Sequence, residues 1–434
     1  MLVTSLEMPA AQVGEEMYDW CRHLWPMPRS LTGPGVRQTL DFLGELLPGL
    51  RRSSVPSGTS VGDWMIPDEW AIRAAWIDDM EGHRIVDFVD NNLHVVGYSV
   101  PVDTVMSAES LRDHLHWLPD QPNAVPYITS YYERTWGFCV TAEQFHRLQT
   151  GEFRVVIDSS LTPGVLDFAD LVLPGRTPRE VMFSTYVCHP SLANNELSGP
   201  VVTAALARWV ASLPDRTYTY RFIFAPETIG AITYLHRHLE ELRSGVDAGW
   251  VVTCVGDDRA YSYLPSRGGS SLADRISERV IARLDADVDR YPWSSRGSDE
   301  RQWCAPGVDL PVCSLMRSKY GTYPEYHTSA DDLNLVTPSG LHGGLEILAR
   351  CVLELEGNRR PRVTTVGEPH MSSRNLYPTL SSIGSATGVR SMMDVLSHSD
   401  GTSDACDVAG RCGLTVEQVD EIWDVLTEYD LVRW

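Results

Sequence analysis

Apolar and polar residues follow one another along this chain in three rhythms, and each rhythm predicts a different kind of element. Residues 13–50 carry a helical one: in VRQTLDFLGELLPGL, Leu40, Leu43, Leu46 and Leu47 share a face, and Pro48-Gly49 ends the run. Between about 55 and 130 the runs shorten. WAIRAAWI, RIVDFV and LHVVGYSV alternate or are β-branched and are parted by Pro, Asp and Asn-Asn turns, which predicts a small β-rich unit. From 150 to 350, apolar strands without strict alternation (FRVVID, VMFSTYVC, YTYRFIFA, AGWVVTCVG) are interleaved with amphipathic helices (GPVVTAALARWVASL, GAITYLHRHLEEL). That pattern belongs to α/β proteins with a mainly parallel sheet covered by helices on both faces. In such sheets, sites collect at the carboxyl ends of the strands.

A stretch rich in Pro, Gly and Ser, roughly 357–385, leads to VRSMMDVL, SDACDVAGRCG and TVEQVDEIWDVLTEYDLV. These predict three short helices and a terminal strand, the outline of a winged helix. The expected organisation is an α/β domain of residues 1–55 and 131–360, an inserted β-rich domain of 56–130, and a linker with a winged-helix domain at 361–434.

Composition narrows the classes. With 434 residues, 43% of them apolar and 22% charged, the chain has material for a substantial core and the composition of a folded protein. No apolar run approaches the ~20 residues that cross a bilayer. The N-terminus MLVTSLEMPAAQVGEEMYDW has neither a basic leader region nor a continuous apolar stretch, so a cytoplasmic location is expected. Nine scattered cysteines without a CxxC pair read as reduced thiols. A formal charge of −22 argues against nucleic acid and against anionic membranes. Residues 384–434 carry ten acidic residues against three arginines, so the tail reads as a packing or dimerisation module, and a homo-oligomer is compatible with it.

Candidate chemistry sits at four strand ends. His189 follows MFSTYVC, with Asn194-Asn195-Glu196 a few residues later, before a helix. Glu227 in RFIFAPETIG follows a strand and precedes a glycine-led helix. GSDERQWCAPGVDLP brings Asp299 and Glu300, and PEYHTSADDLNL brings His327 with Asp331 and Asp332. A hydrolytic zinc site needs two to four His or carboxylate ligands, an open position for water and a carboxylate base beside it, and these pieces could supply one.

The order CHPSLANNELSGP, FAPETIG, GSDERQWC, YHTSADDL resembles that of the zinc aminopeptidase superfamily, which also contains the glutaminyl cyclases. With a β insertion and a winged-helix tail it is similar, more narrowly, to the bacterial aminopeptidase-like proteins of that superfamily. The resemblance implies that His189 and His327 are the first and last histidine ligands and Glu227 the general base. It also implies that Asn195 stands where a bridging Asp is expected, Thr228 where a second, ligating Glu is expected, and Thr253 where another Asp ligand is expected. Two zinc ions close together need carboxylates to offset their repulsion, so one ion is the expected stoichiometry. Glu196 is the expected third ligand, with Asp299, Glu300 and Glu325 as reserves.

The expected function is hydrolysis of a peptide or aminoacyl-amide bond in a small substrate, through zinc-activated water and Glu227. Arg267, and Arg296 or Arg301, are candidates for holding a substrate carboxylate, the alternative being surface ion pairing. Tyr320, Tyr323 and Tyr326 offer an oxyanion donor or aromatic packing, and Tyr326 is the substrate-binding candidate. Two alternatives stay open: a degenerate member that has lost its metal and serves as a binding or scaffold protein, and single-metal deacylation or cyclisation in a biosynthetic pathway. The chain has no G-x-S-x-G turn, no GxGxxG after a strand and no GxxxxGK[ST] loop, which argues against serine-hydrolase chemistry and nucleotide cofactors.

Overall fold

The strands between 165 and 316, joined by Arg51–Pro56, form one eight-stranded sheet. A computed structural model describes residues 8–374, 376 and 387–433, which divide into two compact units, one up to Cys351 and one from Val352. In the first, the strand Glu180–Tyr186 lies at the centre, parallel to Thr219–Ala225 on one side and to Val246–Val251 on the other. Val312–Met316 continues the parallel core beyond Val246–Val251. On one side Val165–Leu173 and then Arg51–Pro56 are added antiparallel; on the other Tyr261–Leu264 joins Val312–Met316 antiparallel, and Val288–Arg290 pairs parallel to it at the edge. Every residue of Glu180–Tyr186 is buried, the reason its sequence shows no alternation.

The two faces carry different helices. Met182 and Tyr186 point to a cluster with Tyr234, Leu235 and Leu242 of helix Ile229–Gly245. Thr185 points the other way, to helix Ser198–Ser212, where a Cβ on Gly199 would lie 2.4 Å from Thr185 Oγ1 and 2.6 Å from Val252 O. The α/β class with a mainly parallel sheet therefore stands.

Two element readings are corrected. The helical rhythm of 13–50 is broken into Val13–Leu24 and Pro34–Leu46. Pro26 and Pro28 interrupt it, and Gly33 takes φ +99° where a Cβ would meet Trp70 O at 2.1 Å. FRVVID, assigned above to the α/β repeat, belongs instead to a second sheet. There Glu152–Thr162 lies between Glu69–Asp79 and Val102–Ser107, with Arg84–Asp87 at the edge beyond Glu69–Asp79. Phe153, Val155 and Ile157 bury one face with Ala75, Ile77 and Val86, and this shared face recruits the strand.

In the second unit, helices Thr387–Ser397, Ala405–Cys412 and Val416–Glu428 accompany an antiparallel pair, Arg362–Val363 with Val432–Arg433. Side chains of Asp404 and Thr415 cap the second and third helices. Val395, Val408, Val419, Trp423 and Leu426 form a separate core. This is the expected winged-helix outline.

Candidate functional site

His189 stands just past the carboxyl end of the central strand, 4% exposed. Its Nδ1 makes a 2.9 Å hydrogen bond with Glu196 Oε2, while its Nε2 lies 3.7 Å from Glu227 Oε2. Glu196 reaches back because Ala193–Leu197 forms one wide π-helical turn ahead of the helix at 198. Asp331 holds that turn, its carboxylate accepting from Asn194 N at 2.6 Å and Asn195 N at 3.0 Å. Beneath it Arg29, from the break between the first two helices, donates to His189 O at 3.0 Å and to Leu24 O at 2.6 Å. Its Nε is 3.8 Å from Glu196 Oε1, and both side chains are fully buried. Burial pulls the His189 pKa down, but the Glu196 hydrogen bond and the charges of Glu196 and Glu227 outweigh it and leave it raised.

Glu196 thus meets His189 on the side of the ring away from Glu227. The two imidazole nitrogens face opposite sides of the ring, so an ion on Nε2, beside Glu227, is out of reach of a carboxylate bound at Nδ1. Cys188 Sγ, His189 Nδ1 and Glu196 do lie within 4.8 Å of one another, near enough for one ion. There, however, Glu196 already shares a proton with Nδ1, and the buried guanidinium of Arg29 supplies the positive charge.

Glu227 follows the strand Thr219–Ala225, and its backbone N donates to Cys188 Sγ at 3.2 Å. Thr228 takes φ +61°, a rare conformation for a β-branched residue. Its N donates to Asp299 Oδ1 at 2.7 Å and its hydroxyl accepts from Arg301 Nη2 at 3.3 Å. Burial raises the pKa of both Glu227 and Asp299, and the Glu227 charge raises Asp299 further, while His189 and then Arg301 partly offset the burial at Glu227. The remaining reserves are engaged: Glu300 Oε1 accepts from Gly297 N, Ser298 N and Tyr320 OH, and Glu325 pairs with Arg259 at 2.8 Å.

His327 sits in the loop before Asp331, with its ring centre 5.7 Å from that of His189. Tyr326 stacks on it at 3.9 Å, and Tyr127 meets it edge-on at 5.1 Å. Burial, then the neighbouring His189, push His327 down to about 3, so its ring is neutral and keeps a lone pair free for a ligand.

The neutral residues at the acidic positions are knitted together. Asn195 Nδ2 donates to the Tyr186 hydroxyl at 2.9 Å, and the Asn195 carbonyl accepts from Tyr186 at 2.8 Å and Thr253 at 3.1 Å. Asn195 Oδ1 is buried without a hydrogen-bond partner among the described residues. Two histidines, one orphaned amide oxygen and a nearby carboxylate are the donor types that a single divalent ion takes. The set lacks the carboxylates a pair of ions needs.

Of the arginine candidates, Arg267 is paired with Asp309 at 2.7 Å and Arg296 lies over the Trp293 ring at 5.1 Å. Arg301 alone of the three contacts a residue beside Glu227. Arg29 and Tyr186 escaped the sequence reading, whereas Tyr127 opens the run YITSYYERTWGF, whose aromatic and charged side chains suit the lining of a pocket. Arg29 in WPMPRS had one signal, a charge in a proline-broken apolar stretch; Tyr186 had none, since only folding brings it to the histidines.

A family model described as a domain of unknown function (DUF4910) matches residues 18–358, and one described as winged helix-turn-helix matches 359–434. A Clostridium acetobutylicum protein, named for polysaccharide biosynthesis and an aminopeptidase-like domain, is 37% identical over 432 residues, 98% of this chain and 97% of its own. A crystal structure described as a peptidase from the same organism superposes with a TM-score of 0.85 at 36% identity, covering 98% of this chain and 97% of that one. The zinc aminopeptidase of Bacillus subtilis superposes with a TM-score of 0.60 at 14% identity, covering 82% of this chain and 97% of that one. That last likeness is one of fold. The fold is thus that of the zinc aminopeptidases, and the chain belongs to the DUF4910 family, followed by a winged helix.

Proposed function

We propose that the protein is a hydrolase of an amide bond in a small substrate, a peptide or aminoacyl amide, working with one zinc ion held by His189 Nε2 and His327. The observation that carries this reading is the approach of the Glu227 carboxylate to His189 Nε2 at two strand ends, with the His327 loop bringing its ring 5.7 Å from that of His189. His189 and His327, at that spacing, are the residues that would hold the ion. Asn195, through its unpartnered Oδ1, is the proposed third ligand in place of Glu196.

Bound zinc would acidify a water and polarise the scissile carbonyl. The chain's own groups do the rest. Glu196 keeps the proton on Nδ1, so that the Nε2 lone pair faces the site. Glu227, its pKa raised by burial, takes a proton from the attacking water and returns it to the leaving amine. The Tyr326 hydroxyl is the proposed oxyanion donor, and Arg301 the proposed anchor for a substrate carboxylate, in place of Arg267 and Arg296. The names of the relatives, peptidase and polysaccharide biosynthesis, support an amide substrate within a biosynthetic setting. Cysteines that form no disulfide among the described residues support a cytoplasmic location, and no helix among the described residues is long and apolar enough to cross a membrane.

The hydrogen-bonded Asn195, Tyr186 and Thr253 favour a second reading, a metal-free binding or scaffold protein. Elemental analysis of the untagged protein separates the two. About one zinc per chain, lost in His189→Ala, supports the hydrolase; no zinc even after supplementation supports the scaffold. With zinc present, Glu227→Gln is expected to keep the metal and lose about 100-fold or more of aminoacyl-amide hydrolysis.

A further inference from the structure

The two histidines are held in different ways. His189 is fixed at Nδ1 by Glu196, whereas His327 lies between two tyrosine rings and, among the described residues, takes no hydrogen bond at its ring nitrogens. Its backbone sits at φ +58°, a conformation that persists in a residue with a Cβ only where the surroundings impose it. Those surroundings come from the loop between His116 and Phe138, which leaves and rejoins the β-rich region. Tyr127 N donates to His327 O at 2.9 Å, Ser329 N donates to Val125 O at 2.8 Å, and Val125 N donates to Ser329 Oγ at 2.9 Å. Pro126 forms a bridge to Thr328, and Gln121 Nε2 donates to Pro324 O at 2.9 Å. The ring of Tyr127 then stands 5.2 Å from His189 and 5.1 Å from His327, touching both, while its hydroxyl is turned to Tyr131 OH at 3.1 Å.

We infer that Val125–Tyr127 is a positioning element for the site: its backbone clamps the His327 loop in the left-handed turn, and the Tyr127 ring sets the spacing of the two imidazoles. The loop is thereby part of the centre rather than a cover over it. Tyr127 acts through the histidines, by its ring and not by its hydroxyl.

The test uses full-length protein labelled with carbon-13 at histidine Cε1, the His327 and His189 resonances being assigned by their loss in His327→Gln and His189→Gln. In metal-free protein, Tyr127→Ala is expected to shift or broaden both resonances, while Tyr127→Phe, which keeps the ring, leaves them in place. Ser329→Ala, which removes one clamp bond without emptying the core, is expected to move the His327 resonance alone, and it decides the matter if Tyr127→Ala does not fold by circular dichroism. Both resonances unchanged in folded Tyr127→Ala, or His327 unmoved in Ser329→Ala, would overturn the inference. A calorimetric zinc titration adds the arm that rests on the proposed metal: about a tenfold loss of affinity is expected in Tyr127→Ala and none in Tyr127→Phe. If the wild type takes up no zinc, the metal reading fails and the histidine resonances alone decide this one.

Discussion

His189 carries the most information of any single residue here, because its two nitrogens do different jobs. Glu196 on Nδ1 fixes the tautomer, and Arg29 behind it balances the carboxylate's charge in a region closed to water. Replacing Glu196 with Gln keeps the shape but removes the charge. That leaves the Arg29 guanidinium buried without its counter-ion, at a cost of about 3 kcal/mol in urea unfolding. The same substitution is expected to lower zinc affinity about tenfold in a calorimetric titration. A double substitution with Arg29→Met recovers most of the stability and none of the affinity, since Met restores neutrality but Gln still fails to support His189. From the sequence, His189 and Glu227 were legible as strand-end residues and His327 as a loop residue, in a recognisable order. The job of Glu196 was not, because one residue's distance along the chain does not say which face of an imidazole it will meet.

At the scale of elements, the site depends on how closely helix Ser198–Ser212 approaches the central strand. Gly199 lets it lie against Thr185 Oγ1 and Val252 O, and the backbone oxygen cannot move aside. Gly199→Ala is therefore expected to cost about 1–3 kcal/mol in thermal or urea unfolding and to displace the turn that carries Asn195 and Glu196. The junction of the two sheets gives a pH-dependent prediction. Arg37 donates to Glu69 at 3.0 Å and to Asp167 at 3.2 Å, and it holds the Glu69 carboxyl below its usual range. A depressed carboxylate contributes stability that is complete above its unfolded value, about 4.3, and fades as pH falls through the lower folded value. Stability measured from pH 7 to 3 should thus fall less steeply in Glu69→Gln than in the wild type. The misassigned strand Glu152–Thr162 belongs to this scale too: its run FRVVID reads equally well in either sheet, and only the apolar face it shares with Ala75 and Ile77 decides.

For the whole molecule, the winged-helix unit raises the question of nucleic acid. Its family description is shared with duplex readers, but binding duplex phosphates requires a basic face, and residues 359–434 carry eleven acidic residues against seven arginines. Arg359, at its start, is already paired with Asp420 at 3.0 Å. We expect no duplex binding by fluorescence anisotropy at low salt; binding that weakens steeply as salt is added would reverse this assignment. The unit's own core around Trp423 makes a further check possible. Trp423→Ala is expected to destabilise the tail by about 3–5 kcal/mol, seen as a shifted calorimetric transition, while zinc content stays as in the wild type.

The sequence by itself determined the α/β class, the mainly parallel sheet, the winged-helix tail and the order of the candidate residues at strand ends. All of these follow from local periodicity, turn chemistry and motif order, which are properties of neighbouring residues. The tertiary structure decided which nitrogen of His189 faces Glu227, which carboxylate stands beside it, and which arginine reaches Thr228. It also brought Arg29 to His189 across 160 positions and Val125 to Ser329 across 204. Contacts of that range are fixed by which apolar faces find each other in the folded core, and no local pattern records them.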